Sequence, residues 1–149
     1  LAPAVHLKKF LVRDIAHHLW DEVRHAEFGL IRLRELNLEP AQVNLVLFEA
    51  SRTMPYLHRL CYLTLGLEVF FMPRKRPRVQ RYAEAGDHRT QLFADVDWSD
   101  ESNHVQYGKR WVEYLLKEDA RSVEDLQEEI AEYLKRAGLQ LKDGQLAPY

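Results

Sequence analysis

The sequence predicts an all-α protein. Alternation of apolar and polar residues, the pattern of strands, is nearly missing from its 149 residues, and glycine and proline number only six each. Apolar residues instead recur every three or four positions over long segments, as they do along the buried face of a helix. These observations favour one helical domain over residues 1–138, followed by a tail over residues 139–149.

Composition and charge narrow the class of protein. Hydrophobic residues make up 46% and charged residues 30% of the chain, which is typical of a globular domain. The net charge of -2 gives no general reason to expect nucleic acid. The longest apolar run, Leu63 to Met72, is too short to span a bilayer. One local basic cluster is interpreted as a solvated connector and not as a phosphate or nucleic-acid patch: Arg74, Lys75, Arg76, Arg78 and Arg81.

Cysteine use points to a compartment. Cys61 is the only cysteine, so an internal disulfide is ruled out and a reducing environment such as the cytoplasm is expected. No signal peptide is evident.

The first half of the chain predicts two helical regions. One helix runs from about Pro3 to about Leu36, and a second region covers about Ala41 to Met72. Pro55 predicts a kink or break near Thr53. Both halves of the second region are apolar on nearly all sides, which predicts burial. The first helix carries an apolar stripe made of Leu7, Leu11, Ile15, Leu19, Ala26, Leu30 and Leu33.

The second half predicts three further helices. Pro73 and Pro77 are expected to close the preceding region, and a short helix from Pro77 ends at Gly86. Asp87 is expected to cap a long helix that reaches about Glu118. Ser122 opens a last helix that ends at Gly138.

One motif occurs twice, as Asp21-Glu22-Val23-Arg24-His25 and as Asp100-Glu101-Ser102-Asn103-His104. Helix positions i and i+3 share a face, so each motif can aim one carboxylate and one imidazole at the same point. Such a pair on each of two helices, with glutamates from two others, is how a four-helix bundle builds a two-metal carboxylate site. The candidate metal ligands are therefore Glu22, His25, Glu101 and His104.

Two further glutamates lie in apolar surroundings. A lone buried carboxylate such as Glu68 is protonated, paired with a cation such as arginine, or bound to metal. Glu68 and Glu101 are 33 residues apart (101 − 68), enough for one helix to end, turn and return antiparallel. Glu68 is therefore a fifth candidate ligand, and Glu49 is a candidate additional one.

Polar neighbours of the two motifs are candidates for supporting roles. Asp21 and Asp100 could each hold the histidine of the opposite motif, because ligand histidines usually donate their other N–H to a carboxylate. Solvated positions are the alternative. His18 and Asp97 lie one turn before Glu22 and Glu101, and each either lines the site or is an ordinary polar residue. The other histidines are interpreted as ordinary: His6, His17, His58 and His88.

Residues 10–118 resemble the ferritin-like di-iron carboxylate superfamily. The residues that carry the resemblance are Asp21–Glu27, Gly66–Glu68, Ala85–Asp87 and Asp100–Trp111. The chain is most similar to little-characterised bacterial ferritin-like domain proteins. It is more distantly similar to rubrerythrin, the ribonucleotide reductase small subunit and the bacterial multicomponent monooxygenases.

The resemblance implies a ferritin-like four-helix bundle followed by a C-terminal helix. In that bundle the helices contribute Glu, Glu-x-x-His, Glu and Glu-x-x-His in chain order. Glu22 with His25, then Glu68, then Glu101 with His104 match the last three contributions. The first has no counterpart: either a helix precedes Leu1, or Glu49, a carboxylate of the last helix or a second subunit replaces it.

The resemblance also implies a chemistry. We expect two iron ions, or manganese and iron, that activate O₂ to oxidise a small organic substrate in an adjoining apolar pocket. An electron-donor protein and a homodimer are compatible partners, whereas nucleic acid and membrane are not expected. The alternatives are a ferroxidase or iron-handling protein and a metal-free helical interaction module. A zinc hydrolase is disfavoured because the helical His-Glu-x-x-His motif does not occur.

Overall fold

The structure is a computed structural model that describes residues 2–42, 45–119, 121–136, 141–142 and 145–146. Nearly all of these residues are helical, which confirms the predicted all-α class. Within the described ranges, none of the helices is both long enough and apolar enough to cross a membrane.

Six α-helices and one π-helix follow one another along the described chain. They are α1 (Ala2–Glu35), α2 (Val46–Thr53), α3 (Tyr56–Cys61), the π-helix (Tyr62–Glu68), α4 (Val69–Glu84), α5 (His88–Asp119) and α6 (Val123–Arg136). Two short strands, β1 (Leu141–Lys142) and β2 (Gln145–Leu146), pair antiparallel near the end of the chain.

Local capping chemistry sets several helix ends as predicted. Asn37 and Gly86 follow α1 and α4 with φ of 54° and 72°, the left-handed conformation that closes a helix. The Asp87 N–H then donates to the Tyr82 carbonyl at 3.0 Å. Asp87 also caps α5, because its carboxylate accepts from the Thr90 N–H at 3.0 Å.

The last helix begins with a reciprocal cap. The Asp125 N–H donates to Ser122 Oγ at 3.0 Å, and the Ser122 N–H donates to Asp125 Oδ2 at 2.9 Å. The predicted start of this helix is therefore confirmed. Its predicted end at Gly138 lies outside the described residues.

Three expectations for the middle of the chain are wrong: the start of the second region, its end at Pro73 and Pro77, and a separate short helix that starts at Pro77. The second region begins at Val46 and not at Ala41, and Pro73 and Pro77 do not end it, because α4 runs through both. Each proline removes one backbone hydrogen bond, a cost that packing of the rest of a helix can outweigh. The predicted break at Pro55 is confirmed, since α2 ends at Thr53 and α3 starts at Tyr56.

Contacts divide the chain into two compact units, each described by itself. Unit 1 is Leu1–Ala41 with Arg74–Asn103, and unit 2 is Gln42–Pro73 with His104–Tyr149. In unit 1, α1 and the first part of α5 are antiparallel, since contacts run from Glu35 with Arg89 to His25 with Asp100.

The described interior of unit 1 is mostly charged. Asp14, Asp21 and Lys75 are buried, whereas Leu19 of the predicted apolar stripe is 66% exposed and Leu30 is also exposed. The stripe is buried only in part, since Leu11, Ile15 and Leu33 are half-buried. Asp14 and Asp21 are buried instead, because ion pairs with neighbouring groups satisfy the charges of their carboxylates.

Unit 2 contains the apolar core, and α2 and α3 both pack against α6. Leu45, Val46 and Phe48 are nevertheless exposed, so the predicted burial of this segment is wrong. A helix as short as α2 buries one side only, and that side carries Ala50 and Ser51. Among the residues of unit 2 whose burial is described, the buried apolar ones are Ala50, Met54, Leu60, Cys61, Tyr62, Tyr107, Trp111, Val112, Leu116, Leu126, Ile130 and Leu134.

Candidate metal centre

Unit 1 brings three of the predicted ligands together. Glu22 and His25 lie one turn apart on α1, and Glu101 lies on α5. One potential ligand atom from each of these residues lies within 4.8 Å of the other two. Carboxylate oxygen and imidazole nitrogen form a donor set that suits iron, manganese or zinc. The i,i+3 spacing of the motif is therefore realised as a convergent group.

His25 is surrounded by carboxylates. Its Nε2 is 2.9 Å from Asp100 Oδ2, and its Nδ1 is 3.4 Å from Asp97 Oδ1. Burial opposes the positive charge, but the hydrogen bonds with Glu22 and Asp100 and the nearby negative charges outweigh it and raise the pKa of His25 to about 9. His25 therefore holds two ring protons near neutral pH unless a metal ion displaces one of them.

Glu22 is ionised in this environment. Its carboxylate lies 3.5 Å from His18 Nε2 and 3.8 Å from His25 Nδ1. Burial alone would raise the pKa of Glu22, but the contacts with these two histidines bring it far below its usual range. His18 thus lies beside the candidate ligand Glu22. The sequence had left open whether His18 lines the site or is an ordinary polar residue.

Arg24 links the two motifs. Its Nη2 donates to Asp21 Oδ1 at 2.6 Å and to Asp100 Oδ2 at 2.7 Å. Asp100 is thereby held against His25, which is the contact expected if Asp100 supports the histidine of the opposite motif. Asp21 is 2% exposed and also lies 2.9 Å from His17 Nδ1. His17, interpreted as ordinary from the sequence, is part of the same network.

Lys75 is a further residue of the network that sequence reasoning missed. It is only 6% exposed, and its ammonium group lies 2.6 Å from Asp97 Oδ2 and 3.0 Å from Glu101 Oε1. The interpretation of the basic cluster at residues 74–81 as a connector is therefore wrong, since these residues lie within α4. The four arginines of the cluster are exposed, as expected of a solvated segment, whereas Lys75 is buried. Nothing in the sequence separates Lys75 from the basic residues on either side of it.

The cluster in unit 1 remains acidic after these cations are counted. Five carboxylates face two permanent cations, which leaves a formal charge of minus three before any histidine is protonated. Like charges held this close repel one another strongly where water is partly excluded. A bound divalent cation would relieve that repulsion. The carboxylates are those of Asp21, Glu22, Asp97, Asp100 and Glu101, and the cations are Arg24 and Lys75.

Unit 2 holds the other two predicted ligands as a pair. Glu68 Oε1 lies 3.3 Å from His104 Nδ1, and the His104 side chain is 0% exposed. The Tyr107 ring centroid lies 5.7 Å from that of His104. Glu68 closes the π-helix, which the sequence presented as ordinary helix. The wider turn of a π-helix is rare and is frequently found at functional sites.

Glu49 and His58 differ from their sequence-based interpretations in opposite ways. Glu49 is exposed and lies 3.5 Å from Arg52, and among the described residues it joins no group of potential ligands. His58 is buried, and its Nε2 lies 2.5 Å from Glu129 Oε2. His58 therefore connects α3 to α6 and is not an ordinary surface histidine.

Comparison with protein-family models, with curated proteins and with solved structures found no match to this chain. What the structure establishes is a protein whose described residues are nearly all helical, and in which each unit places predicted ligands side by side. Ferritin-like membership and a centre that uses all five ligands remain predictions.

Proposed function

We propose that this chain is a metal-binding carboxylate protein that activates O₂ to oxidise a small organic substrate. The convergence of Glu22, His25 and Glu101, within an acidic cluster, is the observation that carries the proposal. Glu68 and His104 are proposed as the further ligands, on the strength of the repeated motif. The metal pair is iron with iron, or manganese with iron. When bound, such metals supply the electrons that reduce O₂.

The surrounding residues have roles that the contacts define. Asp100 and Arg24 fix the ring of His25, and fixed second contacts of this kind raise the metal affinity of a histidine. Glu22 is ionised and thus ready to bind a cation. Lys75 offsets part of the charge of Asp97 and Glu101, so the cluster can exist before a metal enters.

Metal content per chain is the first test. Protein expressed with added iron and manganese should contain about two metal ions per chain. His25→Ala and Glu101→Gln should lower the content, whereas His88→Ala and Glu27→Gln, which change exposed residues of the same two helices, should not. Equal metal content in all five proteins would contradict the assignment of these ligands.

Reaction with O₂ is the second test and separates two chemistries. Protein loaded in the absence of oxygen with a few equivalents of Fe²⁺ per chain should develop a new optical absorption on exposure to O₂. Continued Fe²⁺ oxidation far beyond two equivalents, with growth of an iron mineral, would instead assign the chain to iron handling.

A metal-free helical module is the second candidate, and Lys75 is the observation that favours it. The ammonium group of Lys75 already contacts Glu101, so it neutralises part of the carboxylate charge that a metal ion would otherwise neutralise. This alternative predicts a folded protein with metal content near zero, unchanged by His25→Ala. The metal analysis described above therefore decides between the two candidates.

A further inference from the structure

A groove of about 400 Å³ in unit 1 begins beside the candidate metal ligands. His25 and Asp97 stand at one end, and residues of α1, α4 and α5 form its walls. Every residue that lines the groove belongs to unit 1. The groove therefore offers a space for a small molecule next to the proposed centre.

The wall nearest to this end is aromatic. The rings of Phe28 and Phe93 stack at a centroid distance of 4.2 Å and an interplanar angle of 7°. Phe28 lies three residues after His25 on α1, and Phe93 lies four residues before Asp97 on α5. Each ring therefore stands about one helix turn from the polar residue on its own helix. Leu33 continues the apolar wall along α1. An apolar or aromatic body would bury its surface here.

One guanidinium group on the groove is available to a ligand. No hydrogen bond, ion pair or ring contact reaches Arg78 from the described part of the chain. Arg32, also on the groove, is by contrast already engaged with Asp87 at 2.8 Å and with Thr90 at 2.7 Å. Arg78 lies three residues beyond Lys75 on α4, roughly 4.5 Å along the helix axis. An anion held by Arg78 would therefore lie about one turn from the acidic cluster.

Gly29 keeps the groove open on the α1 side. It lies inside a long helix, where glycine weakens the helix relative to alanine. A Cβ atom built at Gly29 would meet no atom within 4 Å. The space next to this residue is therefore free, and a large side chain there would occupy the groove without disturbing the backbone.

We propose that the groove binds a small organic monocarboxylate with an apolar, preferably aromatic, body. The carboxylate pairs with Arg78, because a guanidinium group presents parallel N–H donors to a carboxylate. The body lies against Phe28 and Phe93 and points towards His25. Recognition of this ligand stands on the groove alone, whereas its role as a substrate rests on the proposed function.

Calorimetric titration with 3-phenylpropanoate tests the proposal on the full chain, both without added metal and with Mn²⁺. Saturable binding of one equivalent is expected, and the neutral amide of the same compound should bind at least about tenfold more weakly. Arg78→Gln should weaken carboxylate binding by a similar factor and leave amide binding unchanged. Arg76→Gln, a matched exposed arginine on α4, should leave both unchanged.

Gly29→Leu supplies an independent test, because it should abolish binding of both compounds, whereas Gly29→Ala should retain binding. Folding of each variant is checked by circular dichroism. Absence of binding by the folded wild-type chain, equal affinity for acid and amide, or an unchanged affinity in Arg78→Gln would overturn the proposal.

Metal analysis of the same samples keeps the two proposals separate. Carboxylate binding by a chain that holds no metal supports the groove and contradicts the proposed function. Metal binding by a chain that does not bind the probe contradicts the groove alone.

Discussion

Lys75 is the residue whose replacement tests the charge balance of unit 1 most directly. Lys75→Met removes the ammonium group that contacts Asp97 and Glu101. Loss of one partner from a buried ion pair costs about 3–5 kcal/mol, so the metal-free variant should be less stable. The same change leaves Glu101 without its internal cation. We therefore expect tighter binding of Mn²⁺, and recovery of much of the lost stability when Mn²⁺ is added.

Chemical denaturation with and without Mn²⁺ measures both effects. Arg76→Met is the matched control, because Arg76 is exposed on the same helix and should change neither stability nor affinity. Weaker Mn²⁺ binding by Lys75→Met would show that Lys75 orients Glu101 and does not compete with the metal.

His25 predicts a pH dependence. Its pKa in the folded protein, about 9, lies above the ordinary value of 6.5. The protonated ring therefore stabilises the metal-free fold fully below pH 6.5, and this contribution is lost as the pH rises through 9. A metal must displace the same proton, so its apparent affinity should rise by about tenfold per pH unit over this window and level off above it.

Mn²⁺ titrations at several pH values test this expectation. Asp100→Asn removes a carboxylate that raises the pKa of His25, so the affinity of that variant should level off at a lower pH. An affinity independent of pH in the wild-type chain would exclude His25 as a ligand.

At the residue scale, the sequence predicted correctly those contacts in which helix periodicity alone brings two side chains together. Glu22 and His25 converge because i and i+3 share a face, and Asp100 meets His25 as the paired motifs suggested. It failed for Lys75 and His58, which are buried by partners far away in the sequence. No local pattern reports the location of such partners.

At the scale of elements, Gly108 sets how closely α5 approaches the π-helix within unit 2. A Cβ atom at Gly108 would overlap the side chain of Thr64, which is fully buried. Gly108→Ala should therefore lower the free energy of unfolding by about 1–3 kcal/mol. Urea denaturation measures the effect, and Thr64→Ala in the same chain should restore part of the loss.

A second glycine inside a helix gives the opposite expectation and acts as the control. Gly29→Ala meets no atom within 4 Å and should stabilise the protein by about 0.5–1 kcal/mol. Equal effects of the two substitutions would contradict the close approach at Gly108.

Helix ends were predictable and helix interiors less so, for a physical reason. Gly86, Asp87 and Ser122 act through backbone groups within a few residues of them, so local sequence determines the caps. The passage of α4 through Pro73 and Pro77 forgoes two backbone hydrogen bonds, and Lys75, the buried residue of this helix, lies between the two prolines. The π-helix likewise has no sequence pattern that sets it apart from an α-helix.

At the scale of the whole molecule, metal binding and folding should be linked. A ligand that binds only the folded chain stabilises it by about 2.7 kcal/mol at one hundred times its dissociation constant. For a chain of this size, that corresponds to an increase in Tm of roughly 5–10 °C. Added Mn²⁺ should produce this increase and a chelator should reverse it, as followed by circular dichroism at 222 nm.

His25→Ala should reduce the increase in Tm, whereas His88→Ala should not. An increase of the same size in both variants would show that Mn²⁺ acts elsewhere on the chain.

The π-helix at Tyr62–Glu68 also affects how the chain tolerates changes in its length. A π-turn can be described as an α-helix that accommodates one inserted residue without rotating the segments on either side. Deletion of Gly66 should therefore leave a regular helix with its flanking faces in their original orientation. Deletion of Gln106 from α5 would rotate everything after it by about 100° and should prevent folding. Tolerance of single-residue deletions should thus peak at the π-helix, where sequences of different length could share one fold.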